Sequence, residues 1–202
     1  MTGTNVTGLP QRGKTFSGGT PTSIDQSAQS EGARMSFKDE YRSGSGVLVK
    51  RSNQYVECVL VRNSSGAALL PGRTVSWASG YRGRRVDGYT RTTNQEVAGV
   101  VDDQLPAAGV ASNDLFWLIR RGPCLIKTPL AGDSGNVFAV DDVLVALTAV
   151  TSGATTSGRP AVMAKAASTN TAEAIINRFA RVVSAKTTAN TNADMLVNVE
   201  LM

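Results

Sequence analysis

Residues 95–128, QEVAGVVDDQLPAAGVASNDLFWLIRRGPCLIKT, decide the fold. Val97, Gly99 and Val101 alternate with Ala98, Val100 and Asp102, residues 103–113 then supply Pro, Gly, Ala and Ser, and Phe116 to Ile119 form a bulky apolar run. Short apolar runs divided by turn-forming residues are the pattern of antiparallel strands. The spacing predicts a strand over 97–101, a second over 116–119, a break at Arg120, Arg121 and Gly122, and a third strand over 123–128. Such a unit buries one face and leaves its turns polar.

Working outward, GVLVKR and QYVECVLVR before this stretch predict two strands joined by a tight turn at Ser52 and Asn53. Asn63 to Gly66 and the Pro71-Gly72 pair predict turns, residues 73–78 a strand with Val75 and Trp77, and 86–92 a more polar strand. After the central unit, strands are expected over 136–140, 143–148 and 159–164, with a Gly/Ser/Thr turn region over 152–158. Residues 169–185 carry two readings: Ala172, Ile175, Ile176, Phe179 and Val183 fall at helical spacing after a cap at Asn170 or Thr171, while 178–184 also reads as a strand. Met195, Val197, Val199 and Leu201 alternate with Leu196, Asn198 and Glu200, a half-buried strand.

Gly, Ala, Ser, Thr and Val dominate the 202 residues, and aromatic residues are only 5%. This balance favours strands and tight turns over stacked helices. The expected fold is mainly β: a small antiparallel β-barrel or sandwich over 46–202, preceded by a long, largely irregular N-terminal arm over 1–45. The arm is rich in Thr, Ser, Gly and Gln, and its apolar side chains are far apart. It holds too little apolar surface to offset the entropy of ordering itself. A partner or the body must therefore order it, with Phe16, Ile24, Met35, Phe37 and Tyr41 as anchors.

The net charge is +5, and residues 46–127 hold eleven basic side chains against six acidic ones. Arg82, Arg84, Arg85 and Arg91 cluster beside Tyr81 and Tyr89, a pairing that suits phosphates and stacked bases in a basic nucleic-acid-binding β-barrel. The excess is nevertheless far below the dense basic footprint of a dedicated nucleic-acid binder, so a solvated or partner-facing surface is the expectation. Arg84 and Arg85 are then candidate contacts for an acidic partner surface. Cys58 and Cys124 lie in apolar runs without a CxxC pair, and free buried thiols are expected. No run approaches the length of a membrane span and no export signal is visible, so production in a reducing cytoplasm is expected and the Asn-x-Ser/Thr sequons at Asn5 and Asn63 are expected to carry no glycan.

Two short motifs suggest chemistry that their surroundings do not support. Residues 8–15, GLPQRGKT, match the phosphate-cradling GxxxxGK[ST] pattern, yet neither the preceding MTGTNVT nor the following FSGGTPTS supplies the buried strand and helix that loop requires. Gly132-Asp-Ser-Gly135 matches the nucleophile loop of trypsin-like proteases, but the chain contains no histidine to accept the serine proton. Lysine serves as base in other serine hydrolases, but nothing in the sequence places Lys127 or Lys165 against Ser134. Absence of histidine also removes the commonest metal ligand. Asp102 with Asp103, and Asp141 with Asp142, are adjacent pairs that a strand would point to opposite faces. No catalysis, cofactor or metal is expected.

A longer pattern covers about residues 54–201: RNSSGAALLPGRTVSW, then EVAGVVDDQLPAAG, FWLIRRGPCLIKT, DDVLVALT, and NRFARVVSAKTTANTNADMLVNVEL. In order and turn placement it resembles the small β-barrel cement, or decoration, proteins of tailed-phage heads. Asn177 and Arg178 stand where a glycine is typical of that family, and the arm 1–45 lies outside the resemblance. The resemblance implies a non-enzymatic virion protein, assembled in the host cytoplasm, that seats on the capsid surface and bridges major capsid subunits, with a homotrimer favoured. An alternative within the particle is a head-fibre base or a tail-associated β protein.

Overall fold

The structure, a computed structural model, describes residues 12–16, 31–43, 45, 47–89, 96–127, 138–146, 160–162, 178–185 and 194–201. The protein is mainly β, and no helix occurs among the described residues. Among the described residues ten strands follow in chain order: β1 (Arg34–Arg42), β2 (Leu48–Asn63), β3 (Thr74–Trp77), β4 (Arg85–Tyr89), β5 (Val97–Val101), β6 (Leu115–Lys127), β7 (Val143–Ala146), β8 (Pro160–Val162), β9 (Arg178–Val182) and β10 (Asp194–Glu200). They form one sheet in the order β1-β2-β4-β3-β5-β6-β10-β9-β7-β8, and β2 also pairs with β6. Pairings β2-β4-β3-β5-β6 therefore return to β2, a ring that takes in half the strands while the others extend from it. Every pairing is antiparallel except the short β2–β4 contact at Arg62↔Arg85 and Asn63↔Val86.

Two apolar clusters lie on opposite faces of the β2–β6 pair. Val56, Cys58, Leu60, Leu115, Trp117 and Ile119 point into one, while Val59, Val61, Phe116 and Leu118 point into the other. Burial on both faces explains why these strands read as continuous apolar runs rather than alternating ones. Each large side chain buried this way contributes on the order of 1.5–3 kcal/mol. β5 comes close to β6 at Gly99, where a Cβ would lie 2.6 Å from Leu118 Cγ and 2.7 Å from the Ile119 carbonyl oxygen.

Two expected breaks are absent. Arg120, Arg121 and Gly122 do not end a strand: β6 runs through them for 13 residues, its first half bonded to β2 and its second half to β10. Gly122 carries φ 99, which lets the chain bulge and continue. Likewise Ser52 and Asn53 lie inside the 16-residue β2, opposite a register shift in β1 between Lys38 and Glu40. Neighbouring ladders hold both strands across segments that look locally like turns. Residues 178–182 are β9, so the strand reading of this stretch is correct, and 171–177 lie outside the described residues.

Candidate functional site

β1 brings three of the expected anchors to the sheet. It is the outer strand and, among the described residues, no strand pairs with its far side. Met35 lies opposite Cys58 and Phe37 opposite Val56, so both continue the face of the first apolar cluster, whereas Arg34, Ser36 and Lys38 occupy the other face. Phe37 packs edge-on against Trp117, with ring centroids 5.2 Å apart. Met35 and Tyr41 remain about two-fifths exposed. Ser43 donates to the Val47 carbonyl at 2.8 Å, closing a β1–β2 hairpin whose Val47, Leu48 and Tyr55 are more than half exposed. Phe16 bonds to Leu115 through both backbone groups at 2.9 and 2.8 Å, and its ring stays partly exposed. Ile24 lies outside the described residues.

Arg84 and Arg85 converge on one carboxylate. Glu31, its side chain fully buried, meets Arg62 Nε at 2.5 Å, Arg85 Nε at 2.9 Å and Arg84 NH2 at 3.7 Å. Arg85 also stacks on Tyr81 at 4.4 Å, and Arg73 on Tyr89 at 5.0 Å, while the Leu70 amide donates to the Tyr89 hydroxyl at 2.7 Å. One face of each tyrosine proposed for base stacking is thus covered from within. Arg82 pairs with Glu96 at 2.6 Å on the surface, and Arg91 lies outside the described residues.

A second buried ionic cluster joins residues 12–16 to the body. Arg12 donates through Nε to Asp102 at 3.0 Å and through NH2 to Asp103 at 2.6 Å. Arg51 bonds Asp39 and Asp103, each at 2.7 Å. The Gly13 amide donates to Asp102 at 2.8 Å and the Leu125 amide to Asp103 at 2.7 Å. β5 ends at Val101, so Asp102 and Asp103 occupy a turn and enter the same cluster instead of pointing to opposite strand faces. Three aspartates against two arginines leave one negative charge in excess. Burial pushes Asp102 up to about 6 against the pull of Arg12. Asp103 feels the same burial, but Arg12 and Arg51 override it and hold the carboxyl below its ordinary range. Burial likewise opposes the Arg12 charge, and Asp102 and Asp103 more than offset it, so its pKa rises.

This cluster also occupies the described part of the phosphate-cradle match. The Gly13 amide, which would face a phosphate, donates to a carboxylate, and Arg12 is consumed by ion pairs. Lys127 pairs with Asp194 at 2.6 Å on the surface, while Ser134 and Lys165 lie outside the described residues. Cys58 and Cys124 are free and buried. Burial raises both thiols far above their ordinary value, which suppresses the reactive thiolate. No group of three or more acidic or cysteine side chains suited to a metal ion occurs among the described residues. Among the same residues no helix is long and apolar enough to cross a membrane.

Sequence reasoning missed Glu31, Asp39 and Arg51, since their roles depend on cross-strand register. Arg120 and Arg121 gave a visible signal, two charges inside an apolar run, but it reads equally as a strand end. No protein-family model matches this chain, and no curated protein matches it.

Proposed function

We propose that the chain is a non-enzymatic virion structural protein that binds the outside of a capsid lattice and stabilises it by bridging major capsid subunits, with a homotrimer as the attached form. The β1–β2 hairpin carries this reading. Met35, Tyr41, Val47, Leu48 and Tyr55 stand exposed on one hairpin whose outer strand has no partner on its far side among the described residues. An isolated exposed hydrophobe is ordinary, but a group of them beside an open edge is costly in water unless something covers it. Adding a strand to that edge while burying the apolar side chains is an established mode of recognition. Repetition over many symmetric sites turns a modest single contact into firm attachment.

The test is co-sedimentation with empty shells of the parent particle's major capsid protein. Wild-type protein is expected to pellet with the shells. The double variant Tyr41→Asp, Leu48→Asp, both sites exposed, should keep its thermal unfolding profile and bind at least tenfold more weakly. Equal pelleting of the variant, or none by the wild type, overturns the proposal. Electron microscopy of the particle distinguishes capsid seating from a head-fibre or tail position.

A further inference from the structure

A cleft of about 890 Å³ opens on the polar face of β1, away from Phe37. Its floor is one row across four strands, since Ser36 faces Glu57, Glu57 faces Arg121, and Arg121 faces Glu200. Glu200 is further compensated by Arg178 at 2.9 Å and Arg181 at 3.3 Å. The wall is different: Arg34, Arg82 and Arg120 line it together with Trp77. The Arg120 guanidinium lies 5.6 Å from the Trp77 ring and donates to the Ala98 carbonyl. Trp77 Nε1 is buried and has no hydrogen-bond partner among the described residues.

The chemistry of a fitting ligand follows from this wall. Counting the floor, the wall and their ion-pair partners, six arginines meet three glutamates, Glu57, Glu96 and Glu200. Crowding of the wall arginines is visible at Arg120, where burial lowers the pKa and Arg34 and Arg82 lower it further against Glu96. An anion placed between them relieves that repulsion, and a carboxylate accepts arginine N–H groups in a matched, bidentate geometry. Glu57 and Glu200 on the floor repel a continuous phosphate backbone but tolerate one compact charge. Trp77 supplies apolar surface beside the charged groups. Arg34 and Ser36 belong to β1, whose far edge is unpaired among the described residues, so an extended segment can lie along β1 while a side chain enters the cleft.

The geometry points to a binding site for an acidic peptide segment, with a Glu or Asp carboxylate among Arg34, Arg82 and Arg120 and an adjacent apolar side chain against Trp77. The site lies on the isolated chain and its test involves no capsid. Trp77 and Trp117 are the two tryptophans of the chain, and Trp117 is buried, so quenching or shift of Trp77 emission reports occupancy. The protein is titrated with acetyl-Leu-Glu-Glu-Leu-Glu-amide, with the same peptide carrying glutamine for glutamate, and with an oligothymidylate. A saturable change with the glutamate peptide, at least tenfold weaker with the glutamine peptide, is expected. The double variant Arg34→Gln, Arg82→Gln removes only exposed side chains; it should melt as the wild type does and bind the glutamate peptide at least tenfold more weakly. Absence of saturation, equal binding of the glutamine peptide, unchanged affinity of the folded variant, or tighter binding of the oligothymidylate overturns the assignment.

Discussion

At the scale of single residues, the most informative group is Asp102, whose carboxyl stands at about 6 in the folded chain against an ordinary 3.8. A raised carboxyl pKa means that the native state holds its proton more tightly than the unfolded chain. The resulting contribution to stability is greatest below about pH 4 and declines as the pH climbs through about 6. Asp103 acts in the opposite sense, because its carboxyl is held low and its contribution is lost on acidification. Asp102→Asn deletes the excess negative charge and keeps one oxygen, which serves only one of the Gly13 and Gln104 amides because they donate to different carboxylate oxygens. Urea unfolding should show this variant gaining on its parent by roughly 1–3 kcal/mol between about pH 4 and pH 7, at about 1.4 kcal/mol per pK unit. A stability difference that stays flat with pH would contradict this account. Arg12→Ala acts in reverse: it leaves the buried Asp102 and Asp103 facing Arg51 alone, and a loss of about 3–5 kcal/mol in the same assay is expected.

At the scale of elements, strands that bury one face in a regular alternation were legible, and strands that cross an irregularity were not. Val97 to Val101 and Asp194 to Glu200 are β5 and β10, as their patterns indicate. β2 and β6 were read too short because RSNQ and RRGP satisfy local turn chemistry, while the decisive bonds come from β1 and β10, far away in sequence. The clusters around Glu31 and Arg12 were hidden for the same reason: no local pattern places residue 12 against residue 102. Gly122 is the hinge of the longest of these misreadings. A Cβ there would collide with the Tyr55 carbonyl oxygen, and the φ of 99 disfavours any L side chain. Gly122→Ala should cost about 2–4 kcal/mol, measured by thermal or chemical unfolding. Gly66 has a similarly positive φ of 73 but open space around it, so Gly66→Ala should cost only about 1 kcal/mol.

At the scale of the whole molecule, residues 12–16, Glu31 and β1 all fall within 1–45 and are all fastened into the sheet. Deleting 1–45 removes one strand, both hydrogen bonds of the Phe16–Leu115 bridge, and with Glu31 and Asp39 a counter-charge of four arginines, Arg51, Arg62, Arg84 and Arg85. Calorimetry of that truncation is expected to show a lowered and broadened unfolding transition, so loss of capsid attachment by the truncated chain would be uninterpretable without it. Point substitutions on the hairpin avoid this difficulty. The proposed attachment surface and the structural clamp fall in the same stretch of chain, so the proposal ties partner engagement to the integrity of the fold.

The circuit β2-β4-β3-β5-β6 has a kinetic counterpart. Its closing seam joins Glu57 to Arg121 and Arg62 to Leu115, so a loop of more than fifty residues must be gathered before the seam can zip. Closing so large a loop is entropically slow, and proteins dominated by such distant pairings mature over milliseconds to seconds. Until β10 docks, the second half of β6 would present Cys124, Leu125 and Ile126 on an unsatisfied ladder, a transient surface on which nascent copies can stick to one another. Yield on refolding should therefore fall as chain concentration rises.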